Sequence, residues 1–361
     1  MLPHVFILLL ITIAMTLSAH AAPDRTDMLT PKVDALFQDF NHAGSPGASV
    51  LVIKRGKVVL AKSYGMANVE ERIPCGTNTN FRLASVTKQL TAMAVMILAE
   101  RGKLSLNERL TDCFPEFPAY GNQITLRHLL THTSGLIDYE DVIPKGTTLP
   151  VLDRDVLRLL MQQDKNYFPP GTKYRYSNSA YALLALIVEA RTGNTFARFL
   201  KDNIFLPLKM TDTLAYEPGL SVVPNRAFGY SPDVGGFRRT DQSLTSSVLG
   251  DGGIYSSVAD LCQWDQALYT DKLVSRKMLK LAFTPGPATD HPNTGYGFGW
   301  FIGQYRGLRE IWHSGNSLGF TTRIARFPDK KFTVIILTNR NEAPIAEFAH
   351  RIADWYLFAA E

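Results

Sequence analysis

Cysteine is scarce in this chain, and the three present, Cys75, Cys113 and Cys262, form no C-x-x-C pair. That excludes a disulfide scaffold, a zinc ribbon and a thioredoxin-type motif. At most one disulfide could form, and three small packed hydrophobes are the alternative. Runs of basic residues are also missing. Lys plus Arg total 38 against 33 for Asp plus Glu, a formal charge of +5 and a pI near 9.0. Yet no run exceeds a pair such as Arg238-Arg239 or Lys330-Lys331. A nucleic-acid footprint needs a clustered stripe, so that partner is excluded. Internal repeats and low-complexity tracts are absent. So is an apolar run of the 18 or more residues that a membrane-spanning helix needs. With 45% hydrophobic and 20% charged residues over 361 positions, the composition excludes a disordered chain and suits one large domain or two lobes.

The longest apolar stretch, Val5 to Leu17, is followed by Ala19-His20-Ala21 and then by Pro23-Asp24-Arg25. This order reads as a secretory signal peptide over residues 1–21, cleaved after Ala21, and places the mature chain in the periplasm or outside the cell. No stable membrane span is expected after cleavage. Further on, Leu29 to His42 carries Val33, Leu36, Phe37 and Phe40 at helical spacing. Ala48 to Ile53, the turn Arg55-Gly56 and Val58 to Leu60 read as a hairpin. Ser85 to Arg101 is helical and apolar almost all round, so this helix is buried. More helices are expected at Leu126 to His132, Val151 to Gln162, Ser179 to Thr192 and Thr195 to Asn203. Glu217 to Gln242 reads as long surface loops. Strands follow at Gly299 to Ile302, Glu310 to His313, Thr321 to Phe327 and Phe332 to Leu337, then a closing helix over Ala343 to Ala359. Strands and helices at both ends around a helical middle define an α+β fold. Residues 22–84 and 236–361 form the sheet lobe of a single domain spanning 22–361, and 85–235 the inserted, mostly helical lobe.

Three short motifs could carry chemistry. Ser85 is the only serine with a lysine three positions on, Lys88. At helical spacing the two face the same side, one turn apart. Ser85 also opens the buried helix, where free N–H groups favour developing negative charge. A desolvated lysine beside a hydroxyl can act as a base. An N-cap serine with a solvated lysine is the bland reading, but the helix is too apolar to leave Lys88 a solvated face. Tyr176-Ser177-Asn178 offers a phenol that can pass a proton and a carboxamide that can hold an amide. His313-Ser314-Gly315 closes an apparent strand, and the small residues after the histidine would let a substrate backbone lie along its edge.

In that order, Ser85-Val-Thr-Lys88, Tyr176-Ser-Asn178 and His313-Ser-Gly315 resemble the S-x-x-K, Y-x-N and K/H-[ST]-G motifs of the serine β-lactamase and penicillin-binding hydrolases. The likeness is to the branch of class C β-lactamases, D-alanyl-D-alanine carboxypeptidases and related esterases. Phe81 to Ser85, Leu129 to Leu136, Gly250 to Gly253 and Tyr296 to Trp300 extend it from about Leu29 to Tyr356. The resemblance implies an antiparallel sheet flanked by the N- and C-terminal helices, an acyl-enzyme on Ser85, and no cofactor. Lys88 would take or relay the serine proton, and Tyr176 would act as shared base and acid. Asn178 would hold the substrate amide, with His313, Ser314 and Gly315 on the substrate's carboxyl side. The backbone N–H groups of Ser85 and Asn316 would form the oxyanion hole. Where class C enzymes usually carry Lys, this chain has His313, which favours short esters or D-amino-acid peptides over β-lactams as the small-molecule or peptide substrate. The alternative is a catalytically silent binder of cell-wall peptide or β-lactam on the same scaffold.

Two rival sites are weaker. Gly315-Asn316-Ser317-Leu318-Gly319 fits G-x-S-x-G, but a nucleophile elbow needs a helix after the serine, and a strand is expected there. His128 and His132 have the spacing of a zinc helix, but Leu129 stands where H-E-x-x-H has glutamate. Asn339, Arg340 and Asn341, after the last strand, are candidates to grip a carboxylate, with a surface turn as the plainer reading.

Overall fold

A computed structural model describes residues 25–287 and 293–358. The signal-peptide segment 1–21 lies outside the described residues, as does the end of the expected closing helix. Among the described residues no helix is long and apolar enough to cross a membrane.

The first helix, α1 (Arg25–Leu36), runs into a 3₁₀ turn at Gln38–Phe40. It leads to a hairpin of β1 (Ala48–Lys54) and β2 (Lys57–Tyr64). The turn between them is Arg55-Gly56 at φ 52° and 77°, the left-handed pair that matches strand twist in a two-residue hairpin. Among the described residues, the chain then leaves the sheet and rejoins it at Gly295. There it lays down β3 (Gly295–Tyr296), β4 (Phe301–Tyr305), β5 (Leu308–Ser317), β6 (Phe320–Phe327) and β7 (Phe332–Thr338). The sheet has seven strands in the order β3-β4-β5-β6-β7-β1-β2. Every neighbouring pair is antiparallel. β6 and β7 are buried on both faces, which explains their unbroken apolar runs. This is the expected α+β fold.

Each face of the sheet has its own core. On one, Val33, Phe37 and Phe40 meet Val50, Val52 and Ile336, with Ile345, Ala349 and Ile352 from the C-terminal helix Ile345–Ala353. On the other, Leu51, Ile53 and Ile324 pack into the larger core built on α2 (Lys88–Glu100) and α3 (Asn178–Thr192). Val258 and Leu261 of α4 (Val258–Ala267) join it. α4 is also tied to the sheet by an ion pair that is 1% exposed, in which Arg326 Nε donates to Asp265 Oδ1 at 2.7 Å. Thr333 Oγ1 donates to the same oxygen at 2.8 Å.

Two sequence expectations need correction. The loops of 217–242 contain a small hairpin, Tyr230–Asp233 with Gly236–Arg239, built around consecutive glycines that alternation counting passes over. The strand expected over Glu310 to His313 does not end there but runs to Ser317, because Gly315 and Asn316 pair with Thr322 and Thr321 of β6. All three cysteines are free and partly buried.

Candidate active site

The site lies where the head of α2 meets the edge of β5. β4 pairs with β5 only as far as Trp312, so among the described residues that edge has no strand partner from His313 to Ser317, and the turn Ala84–Thr87 approaches it instead. A Cβ added at Gly315 would sit 2.2 Å from Leu83 O and 3.0 Å from Ser85 N. Only glycine allows the strand this close. Ala84, at φ 48°, holds a left-handed conformation that costs a non-glycine residue about 1–3 kcal/mol, and it fixes the turn on which Ser85 stands. α2 itself begins at Lys88, one turn later than expected, with Ala84–Thr87 wound as 3₁₀.

Lys88 is fully buried. Its Nζ lies 3.0 Å from Ser85 Oγ, 2.9 Å from Asn178 Oδ1 and 2.9 Å from the Asp251 carbonyl oxygen. The last two atoms can only accept hydrogen bonds. A neutral amine has two N–H groups, and donating both to these oxygens leaves its lone pair toward the Ser85 hydroxyl. Burial pushes the Lys88 ammonium down to about 8, against the opposing pull of Asp251, Asp138 and Glu140. Such an amine can take a hydroxyl proton.

Tyr176 closes the other side. Lys88 Nζ lies 4.9 Å from its ring centroid, and the ring stacks with Phe301 at 6.3 Å. Its hydroxyl is buried and interacts with Ser85, though outside normal hydrogen-bond geometry. Burial raises this phenol far above its ordinary range, so it is a proton donor rather than a phenolate. Asn178 is held at the start of α3, where its backbone N–H donates to Asp138 Oδ2 at 2.9 Å. Its Nδ2 donates to Glu140 Oε1 at 3.4 Å.

His313 sits apart from the cleft. It is 1% exposed, and burial, with Lys88 adding to the effect, pushes its imidazolium down to about 3. Nδ1 lies 2.7 Å from the Ser314 carbonyl oxygen and Nε2 lies 2.9 Å from the Tyr296 hydroxyl. A carbonyl only accepts, so the proton is on Nδ1 and Nε2 accepts from Tyr296. The imidazole carries no charge toward the cleft. Ser314 Oγ accepts from Arg323 Nη1 at 2.9 Å, and Asn316 is exposed at the cleft rim.

Ser85 opens into a cavity of about 180 Å³ lined by Asn178, Asn316, Tyr139, Glu140 and Asp251 among others. Burial raises the Asp251 carboxyl to about 7, with Lys88 pulling it down. Tyr139 donates to Asp251 Oδ2 at 3.2 Å. Sequence reasoning did not single out Tyr139, Glu140 or Asp251. The signal lay in Asp138-Tyr139-Glu140, one residue after the His132-Thr-Ser-Gly-Leu segment, and in Asp251 within Gly250-Asp-Gly-Gly.

Several candidates are elsewhere. Ser317 ends β5 and turns straight into β6, so no elbow forms. His132 is buried, accepts from Ser177 N through Nδ1 at 3.1 Å and packs between Tyr176 and Tyr296. His128 accepts from Thr125 N. Among the described residues no cluster could hold a metal. Asn339 is neither a surface turn nor a carboxylate grip. It is fully buried, accepts from Gly47 N and donates to the carbonyls of Met66, Ala67 and Phe228.

An antiparallel sheet with an S-x-x-K helix head at the edge of its H-S-G strand defines a β-lactamase/transpeptidase-like serine hydrolase. A statistical description of the beta-lactamase family matches residues 33–355, and the chain belongs to that family. Penicillin-binding protein 4* of Bacillus subtilis is 33% identical over 326 residues, 86% of this chain and 72% of the relative. Protein flp of Staphylococcus aureus is 29% identical over 89% of this chain, which spans 65% of the length of that protein. Among solved structures, a penicillin-binding protein from Bacillus halodurans superimposes with a TM-score of 0.78 at 28% identity, over 89% of this chain and 98% of that one. The octameric penicillin-binding protein homologue of Pyrococcus abyssi gives 0.78 at 27%, over 92% and 77%. A D-amino acid amidase from Ochrobactrum anthropi shares the fold, with a TM-score of 0.79 at 24% identity over 91% and 98%.

Proposed function

We propose that the protein is an exported serine hydrolase that cleaves an ester or amide through an acyl-enzyme on Ser85. The observation that carries this reading is the buried amine of Lys88 within 3.0 Å of Ser85 Oγ, with two acceptor-only oxygens for its hydrogens. Neutral Lys88 takes the Ser85 proton as Oγ bonds to the substrate carbonyl carbon. The oxyanion is met by the backbone N–H groups of Ser85 and Asn316, each worth about 3 kcal/mol. The Tyr176 hydroxyl gives its proton to the leaving group as the ester or amide bond breaks, and recovers one from the Lys88 ammonium. Water then attacks the acyl-enzyme by the same steps in reverse. Asn178 holds Lys88 in place and offers its amide to the substrate. A neutral His313 makes a poor partner for a substrate carboxylate, which supports small esters and amino-acid amides over β-lactams. Residues 1–21 act as a cleaved export signal ahead of one catalytic domain, with 85–235 as its helical lobe, working in the periplasm or outside the cell.

Turnover of nitrophenyl esters, D-Ala-D-Ala peptides and a chromogenic cephalosporin is compared for the mature protein and its Ser85→Ala variant. Ester or peptide cleavage lost on substitution is expected. Binding without any turnover would favour a silent binder, and a cephalosporin rate far above the others would reverse the ranking.

A further inference from the structure

Tyr176 stands on a stretch, residues 174–177, that belongs to no helix or strand. Its hydroxyl meets Ser85 only outside normal hydrogen-bond geometry, so its position is set through its backbone and its ring. One residue holds both. His132, just past the helix Leu126–Leu130, accepts from Arg175 N through its carbonyl oxygen at 3.0 Å and from Ser177 N through Nδ1 at 3.1 Å. Amides two apart in an extended segment point the same way, so one residue can bind both with its own carbonyl and a side-chain nitrogen. These two amides flank Tyr176. The imidazole also lies 4.3 Å from the Tyr176 ring, nearer than the rings of Phe301, Tyr296 and His313. His132 is fully buried, and burial keeps its imidazole neutral, so Nδ1 accepts and the proton is on Nε2. Ser177 is 2% exposed, so its N–H has no water to turn to if that nitrogen is lost. The backbone of His132 is held at φ 56°, a left-handed conformation that histidine and asparagine adopt more readily than most residues.

We propose that His132 is a positioning residue for proton transfer, fixing the Tyr176 phenol where it can hand its proton to the leaving group. The inference rests on Tyr176 as the proton donor and adds the group that holds it in place.

The test compares p-nitrophenyl butyrate with phenyl and ethyl butyrate, which form the same acyl-enzyme and differ only in the group expelled. p-Nitrophenolate departs without a proton, whereas the poorer leaving groups need one. The ratio of kcat/KM values therefore reads the proton donor, whatever fraction of a variant is folded. His132→Phe keeps a ring and removes the acceptor. It should lose at least about tenfold more on the poorer leaving groups than on p-nitrophenyl butyrate, part of the about 10²- to 10⁴-fold that a placed general acid supplies. His132→Leu, which is smaller, serves the same comparison should the phenylalanine variant fail to fold. His132→Asn puts Oδ1 as many bonds from the backbone as Nδ1 and tolerates the left-handed φ, and should recover most of the selective loss. In a Tyr176→Phe background, His132→Phe should add no further selective loss. Equal losses on all three esters, an asparagine variant no better than the phenylalanine one, or a further selective loss in the Tyr176→Phe background overturns the inference. Tyr176→Phe alone reports separately on the donor reading: equal losses on all three esters there would remove that reading and what is built on it.

Discussion

Lys88 offers the sharpest handle on this site. Its buried amine has an ionisation pushed down to about 8 from an ordinary 10.5, so protonation removes the lone pair that faces Ser85. At pH 6, two units lower, roughly 1% of the amine is neutral, a penalty of about 2.7 kcal/mol on acylation. For a neutral ester, kcat/KM should therefore rise about tenfold per pH unit up to about pH 8 and then level. The stability sign agrees. Between about 8 and the unfolded value the unfolded chain binds the extra proton, so Lys88 burdens the fold below that window and ceases to do so above it. Lys88→Arg keeps a cation but has no lone pair to offer, and should lose on the order of 10²- to 10⁴-fold in kcat/KM at pH 8 and above, with the gap to wild type narrowing as the pH falls. Ester hydrolysis followed from pH 5 to 9.5 reads both effects. A flat wild-type profile below pH 8, or an arginine variant within tenfold of wild type at pH 8 and above, refutes the argument.

Other consequences follow from the same contacts. Gly315→Ala should cost at least about 10²-fold in activity, because its Cβ would meet Leu83 O at 2.2 Å and Ser85 N at 3.0 Å and would move the strand edge off the serine. A variant with wild-type turnover would show that the edge is not needed. His313 should stay neutral with its proton on Nδ1 from pH 5 to 8. Nitrogen NMR checks this, and a midpoint above 5 contradicts it. Asp265→Asn should destabilise the protein by about 3–5 kcal/mol in urea titration by stranding the buried Arg326 charge. A loss under 1 kcal/mol would show that the pair is solvated.

Much of this was legible in the order of the residues. The apolar girth of 85–101 says that Lys88 cannot face water, and the buried amine is what makes its neighbour chemically interesting. The late strands announce themselves as unbroken apolar runs because β6 and β7 are covered on both faces. Less could be read where long-range contacts decide. Nothing local in His313-Ser314-Gly315 says that Tyr296 binds the imidazole, the contact that keeps this histidine neutral in the fold. Asn339 reads as a turn residue, yet backbone atoms from four distant positions converge on its side chain. Glu140 and Asp251 reach Ser85 from segments 111 residues apart, and only the packing of the Leu249–Gly252 turn against α2 and α3 brings them to one cavity.

The most direct trial is covalent. The mature protein is treated with a fluorescent phosphonate ester, digested, and its labelled peptide sequenced by mass spectrometry. The label should fall on the Ser85 hydroxyl, with labelling slowed in Lys88→Arg. A stable adduct on any other side chain, Ser317 included, would contradict the assignment.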